Sequence, residues 1–353
     1  MRRALALVVA AAVLLVGCGG TVATSSQPTA RTPMSHVWLL ASEPRTVFAS
    51  SAGAERWASA QIRAPGGSIY VRLAFGDALH GWVVGAGGQI RATSDGGASW
   101  HLQRSGTTEQ LTAIGASDAD HAWATGMRGS IVATADGGAT WRLQRGPGGL
   151  TLHTSVACAD AQHVWIARSD PRSGVVLVTR DGGARWSVAH RFALPAGHEL
   201  TSVASPDAEH CWIVAGIDPM ATGYAHGRNR ILATADGGAH WGVQYLGGTH
   251  EPVVLAATDS RHVWAAGYAG MATGVLASSD GGTTWKAQPV PASADGPASG
   301  VAFSDARHGW VLVGLNSLLT TADGGATWTQ VKLPPGVGVV QPLWDVVARD
   351  SEE

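Results

Sequence analysis

TADGGATW occupies residues 134–141 and returns letter for letter at 321–328. TSDGGASW (93–100), TRDGGARW (179–186), TADGGAHW (234–241) and SSDGGTTW (278–285) are the same phrase with small edits. Six copies of one turn predict a repeated structural unit, not a single active site.

The tryptophans that close the phrase, Trp100, Trp141, Trp186, Trp241, Trp285 and Trp328, stand 41, 45, 55, 44 and 43 residues apart. A second phrase, Asp-x-x-His-x-Trp, precedes each one: DALHGW (77–82), DADHAW (118–123), DAQHVW (160–165), DAEHCW (207–212), DSRHVW (259–264) and DARHGW (305–310). A worn seventh copy opens the series. SHVW (35–38) supplies His36 and Trp38, and SSAGAERW (50–57) has Ala52 where the aspartate should stand. Seven pairs of tryptophans plus Trp344 account for all 15 in the chain, so the repeat explains this unusual content.

Within a unit the local signals are all β. In the third, LTAIGAS (111–117), AWATG (122–126), IVATA (131–135) and WRLQ (141–144) are short β-branched or alternating runs divided by Gly- and Asp-rich turns. Four antiparallel strands in about 43 residues form the blade of a β-propeller. SHVW has no first strand before it, whereas PLWDVVARD (342–350) aligns with the first strands of later units. The spacing predicts an all-β fold, a seven-bladed propeller of four-stranded antiparallel blades over 34–350. The ring is closed by the C-terminal strand pairing with the N-terminal blade, which removes open edges.

The aspartates of the glycine-rich phrase, Asp95, Asp136, Asp181, Asp236, Asp280 and Asp323, are placed to accept hydrogen bonds from N–H groups one to three residues on. The Gly pair permits positive φ, and the closing Trp fills space between blades. The His of the second phrase is expected to bond a turn backbone and to share a strand face with the Trp two residues on. One carboxylate per turn is too few for calcium, and histidines on separate blades cannot share a zinc ion. No metal and no cofactor is expected.

Ser/Thr-x-Asp-x-Gly-x-x-Trp resembles the Asp-box, or bacterial neuraminidase repeat. The longer HGWVVGAGGQIRATSDGGASW (80–100) is similar to the repeat of photosystem II stability and assembly factors. The resemblance implies the propeller fold and, by analogy only, a role in protein binding or assembly.

The N-terminus reads separately. MRR precedes an apolar run from Ala4 to Gly17, too short to span a bilayer comfortably and suited to a secretory signal. Its end, Leu15-Val16-Gly17-Cys18, resembles a bacterial lipoprotein box. That implies a signal peptide over 1–17, a lipidated Cys18, a flexible tether over 18–33 and an extracytoplasmic, membrane-anchored protein of the cell envelope. An ordinary signal peptide or an uncleaved anchor is the alternative. Cys158 and Cys211 are either a disulfide or two buried small residues. With 14% charged residues, a net charge of −2 and lysine only at Lys286 and Lys332, the chain lacks the dense positive surface that nucleic acid requires. A monomer is expected.

Asp-box propellers include sialidases, which use an arginine clamp and a Tyr nucleophile with a Glu partner. Here the tyrosines are only Tyr70, Tyr224, Tyr245 and Tyr268, and the Arg-Ile-Pro signature is absent. No nucleophile elbow or phosphate loop occurs either. The expectation is a non-catalytic module that binds a protein partner at the envelope. The alternative is a glycan-binding or sialidase-like propeller. Both signature turns fall on one end of the ring, so binding is expected at the other, where loops vary. Second-to-third loops lengthen in RSDPRSG (168–174), GIDPMATGYAHGRNR (216–230) and GYAGMATG (267–274). Together with the inter-blade segments beside them, they gather Arg168, Arg172, Tyr224, His226, Arg228, Arg230, His250, Glu251 and Tyr268 into one candidate contact sector.

Overall fold

A computed structural model describes residues 35–349 apart from 42–44, 52–53, 63–69, 148–152, 171–172, 218–227, 295, 315 and 335–342. The short alternating runs become strands. In the third unit these are Leu111–Ala116, His121–Gly126, Ile131–Ala135 and Arg142–Gln144, each antiparallel to the next. Seven such four-stranded sheets follow one another, and the chain is a seven-bladed β-propeller. The first strands of successive blades touch in an unbroken cycle. Strand Leu343–Arg349 pairs with His36–Ala41 and is the first strand of the N-terminal blade, as the repeat alignment requires.

Burial follows depth in the blade. The second strand of the third blade is almost wholly buried, whereas its outer strand Arg142–Gln144 is largely exposed. Each second strand delivers one fully buried indole to the core: Trp38, Trp82, Trp123, Trp165, Trp212, Trp264 and Trp310. At two junctions the indole stacks on a phenylalanine of the next blade, Trp38 on Phe75 at 3.7 Å and Trp264 on Phe303 at 3.6 Å. Six of the seven first strands carry a bulge near their start, the fourth blade being the regular one. A bulge adds the twist that strands crowded at an axis need.

The glycine-rich turn is held differently from the expectation. In the third blade Asp136 accepts the N–H of Thr140, four residues on, and the hydroxyls of Thr134 and Thr140, while Thr134 Oγ1 accepts the N–H of Gly138. The reason lies in the Gly pair. Both glycines take positive φ, 66° and 85°, which curls the chain until the fourth residue on faces the carboxylate. The histidine role also differs. His121 Nδ1 meets the side chain of Asp118 at 2.8 Å rather than a backbone group, and the same pairing recurs in all six Asp-x-x-His turns. The ring lies nearly parallel to Trp123, so the two share a face as expected. The first glycine of each pair donates to the turn of the other phrase, as Gly137 does to Asp120 O at 3.0 Å. The two signature turns therefore lie side by side at one end of the six blades that carry both phrases in full.

Three junctions between adjacent blades are joined by a clasp that the expectations did not include. Gln103, Gln144 and Gln244, three residues beyond a closing Trp, each donate Nε2 to a turn glycine carbonyl of the next blade at 2.9 Å. Gln103 and Gln144 also accept from Trp141 and Trp186 Nε1 of that blade. Both cysteines, Cys158 and Cys211, are free thiols, which selects the unbridged alternative.

Candidate functional site

The sector expected to bind a partner divides on inspection. Two of its three long loops are strand. Val164–Ser169 and Ser173–Thr179 continue into the fourth blade's RSDPRSG segment, and Val263–Ala269 meets Ala272–Ser278 across a two-residue turn. The alternating Val, Ala and Thr of these segments keep pairing where glycine and proline had suggested a loop. Arg168 and Tyr268 are consequently in register with strand neighbours and buried, 5% and 2% exposed. Glu251, opposite Tyr268 in the sheet, is 7% exposed. These three are structural and cannot form an open contact surface. Arg168 Nη2 donates to Pro147 O, and burial first, then the charge of Arg191, lowers its pKa.

Glu251 has a specific task. Its Oε2 accepts the N–H of Asn229 at 2.7 Å, and Asn229 is fully buried. Asn229 Oδ1 accepts from Ile217 N at 3.0 Å, and Nδ2 donates to Pro252 O at 2.8 Å. This knot fastens the base of the fifth blade's long loop to the sixth blade. Nearby Tyr245 donates its hydroxyl to His250 O at 3.1 Å, and burial, assisted by Glu251, raises the phenol pKa. His250 is half-buried and its pKa is lowered by burial.

Arg228 and Arg230 remain exposed. Arg172, Tyr224 and His226 lie outside the described residues, as does Cys18. Arg230 lines an apolar notch of about 50 Å³ between the fourth and fifth blades, with Phe192, Leu194, Pro195, His198 and Leu232. This junction is one of three without a glutamine in the clasp position, which Ala60 and Val331 occupy at the other two. Ala189 stands where a clasp glutamine would be, packed on Gly238, and Arg180 donates to the neighbouring Gly237 O instead. Outside it His190, Phe192 and Trp241 form an aromatic cluster, with Phe192 edge-on to Trp241 at 5.6 Å. Arg191, the next residue back from Phe192, is exposed but pairs with Val175 on the opposite face of the sheet, towards the third blade, and stands apart from the notch. Sequence reasoning missed Asn229. Among the described residues no group of three or more His, Cys, Asp or Glu is placed to hold a metal ion.

No protein-family model and no curated protein matches the chain. Solved structures do. YCF48 from Cyanidioschyzon merolae is similar over 79% of this chain and 89% of its own, at 20% identity and a TM-score of 0.57. A YCF48 bound to a D1 peptide is similar over 76% and 82%, at 17% identity and a TM-score of 0.56. The GH74 xyloglucanase of Xanthomonas campestris is similar over 86% of this chain but 51% of its own, at 13% identity and a TM-score of 0.58. At these identities the likeness establishes the propeller fold, shared by binding proteins and enzymes alike.

Proposed function

We propose that this chain is a non-catalytic binding propeller, resembling assembly factors, that holds an acidic segment of another protein at the junction of its fourth and fifth blades. The carrying observation is the pair Arg228 and Arg230, exposed guanidinium groups without an ion pair among the described residues, of which Arg230 lines the apolar notch. The notch is far below the roughly 300 Å³ at which small-molecule sites begin. It suits one aliphatic side chain, with the arginines meeting flanking carboxylates. A peptide bound to another propeller of this fold supports the reading. Replacing Arg228 and Arg230 with alanine should cut capture of native partners from a membrane extract at least fivefold. Unaltered capture would remove the proposal.

The envelope location follows from Cys18 as a lipidation site. Cys18→Ala should leave the protein unlipidated by mass and release it from membranes. A second reading, glycoside hydrolysis, is favoured only by the likeness to the xyloglucanase. It requires two carboxyl groups about 5–9.5 Å apart around a substrate cleft. Incubation with xyloglucan and with a sialoside reporter is expected to release no product.

A further inference from the structure

The sixth and seventh blades meet differently from their neighbours. Gln288 stands in the clasp position, three residues beyond Trp285, yet its Nε2 donates to Lys286 O at 3.1 Å within its own strand. Gly324 O of the seventh blade accepts from Trp264 Nε1, at 2.8 Å, and from no other side chain among the described residues. Where the glutamine Nε2 makes no bond across, a cavity of about 280 Å³ opens at the signature-turn end of the junction. Its polar lining includes His262, Ser279, Lys286 and Gln288.

The available groups define a ligand. Asp323 and Thr284, also in the lining, are spent on their own turns. His262 Nδ1 faces Asp259 at 2.8 Å. A carboxylate can only accept, so Nδ1 carries the proton and Nε2 of the neutral ring is an acceptor. It therefore seeks a hydroxyl. Lys286 is exposed, and its ammonium has no carboxylate partner among the described residues. It seeks an anion. Ser279 and Gln288 add neutral donors and acceptors.

We infer that this cavity binds a small hydroxy acid of hexose size, a sugar acid, with its carboxylate on Lys286 and a ring hydroxyl donating to His262 Nε2. A neutral sugar lacks the anion and a simple carboxylate lacks the hydroxyl donor, so each alone binds more weakly. The site lies at the opposite end of the ring from Arg228 and Arg230 and stands independently of that reading.

The chain has two lysines, Lys286 and Lys332. Lysine-selective ¹⁵N labelling of the full chain thus gives one reporter in the site and one outside it. Titration with glucuronate should shift the Lys286 signal saturably and leave Lys332 still. Glucose and acetate at equal concentration should each give less than a third of that shift. Ligand-observed saturation transfer from Lys286→Ala should fall at least fivefold, with the thermal transition of the protein unchanged. Equal shifts at both lysines, or acetate matching glucuronate, would overturn the assignment.

Discussion

The signature aspartates hold their turns as anions. Hydroxyl donation, from Ser99, Thr140, Thr284 and Thr327 respectively, brings Asp95, Asp136, Asp280 and Asp323 down to about 2. The aspartates of the other turn are also lowered. Burial raises them, and bonds from the histidine three residues on and from nearby N–H groups outweigh it. A carboxylate whose folded pKa is depressed stabilises the fold above its unfolded value, about 3.9, and loses that contribution as pH falls toward the folded value. These aspartates therefore bring no loss of thermal stability from neutral pH down to about 5 and a steep loss between about 4 and 2. A scan of Tm against pH checks this, and a decline beginning at pH 6 would contradict it. The clasp glutamines give a sharper contrast. Gln144→Leu strips the partner from the buried Trp186 Nε1 and should cost about 1–3 kcal/mol in denaturant unfolding. Gln288→Leu breaks only an exposed bond to its own strand and should stay within about 0.5 kcal/mol.

At the scale of the element, the repeat made strands and turns legible because each unit must satisfy the same backbone groups with the same few side chains. Even a detail of core packing is written there. Units with Phe at the end of the first strand, Phe75 and Phe303, have Gly after the signature His, at Gly81 and Gly309. A Cβ at Gly81 would lie 2.6 Å from the Phe75 ring, and one at Gly309 would lie 2.3 Å from the Phe303 ring. The other described units end that strand in Ala or Cys, with Ala, Val or Cys after the His. Gly81→Ala alone should cost about 1–3 kcal/mol through overpacking. Adding Phe75→Ala should cost less than the two single changes summed, and a double-mutant cycle measures the coupling. The candidate site was less legible. Arg168, Glu251 and Tyr268 look like loop residues in the sequence, because a long hairpin and a long loop share glycine and proline. Only register shows which side chains turn inward. Asn229 was invisible because its partners, Ile217, Glu251 and Pro252, come from three segments that meet only in the fold.

Closure is a property of the whole ring, and it rests on the C-terminal strand. Arg349 at its end donates Nε to Phe75 O and Nη2 to Ala116 O, reaching the first strands of the next two blades. Removing residues 343–353 takes away these bonds and the pairing with His36–Ala41. The truncated chain should lose the single sharp thermal transition seen by tryptophan fluorescence. Asp345 makes the seam pH-dependent. Its Oδ2 accepts the N–H of Leu73 in the second blade at 3.0 Å, the place that Ser155 and Ser202 fill at other junctions. Burial drives its pKa up, with Arg72 opposing. A folded pKa above the unfolded one means that the fold prefers the neutral acid. Stability is complete below the unfolded value, about 3.9, and is lost as pH rises through the folded value. Asparagine keeps an acceptor for Leu73 and cannot ionise. The Tm of Asp345→Asn minus that of the parent should therefore become more positive between pH 4 and pH 8. A difference independent of pH would mean that Arg72 keeps the seam carboxylate charged throughout, and that closure depends on an ion pair rather than on a neutral latch.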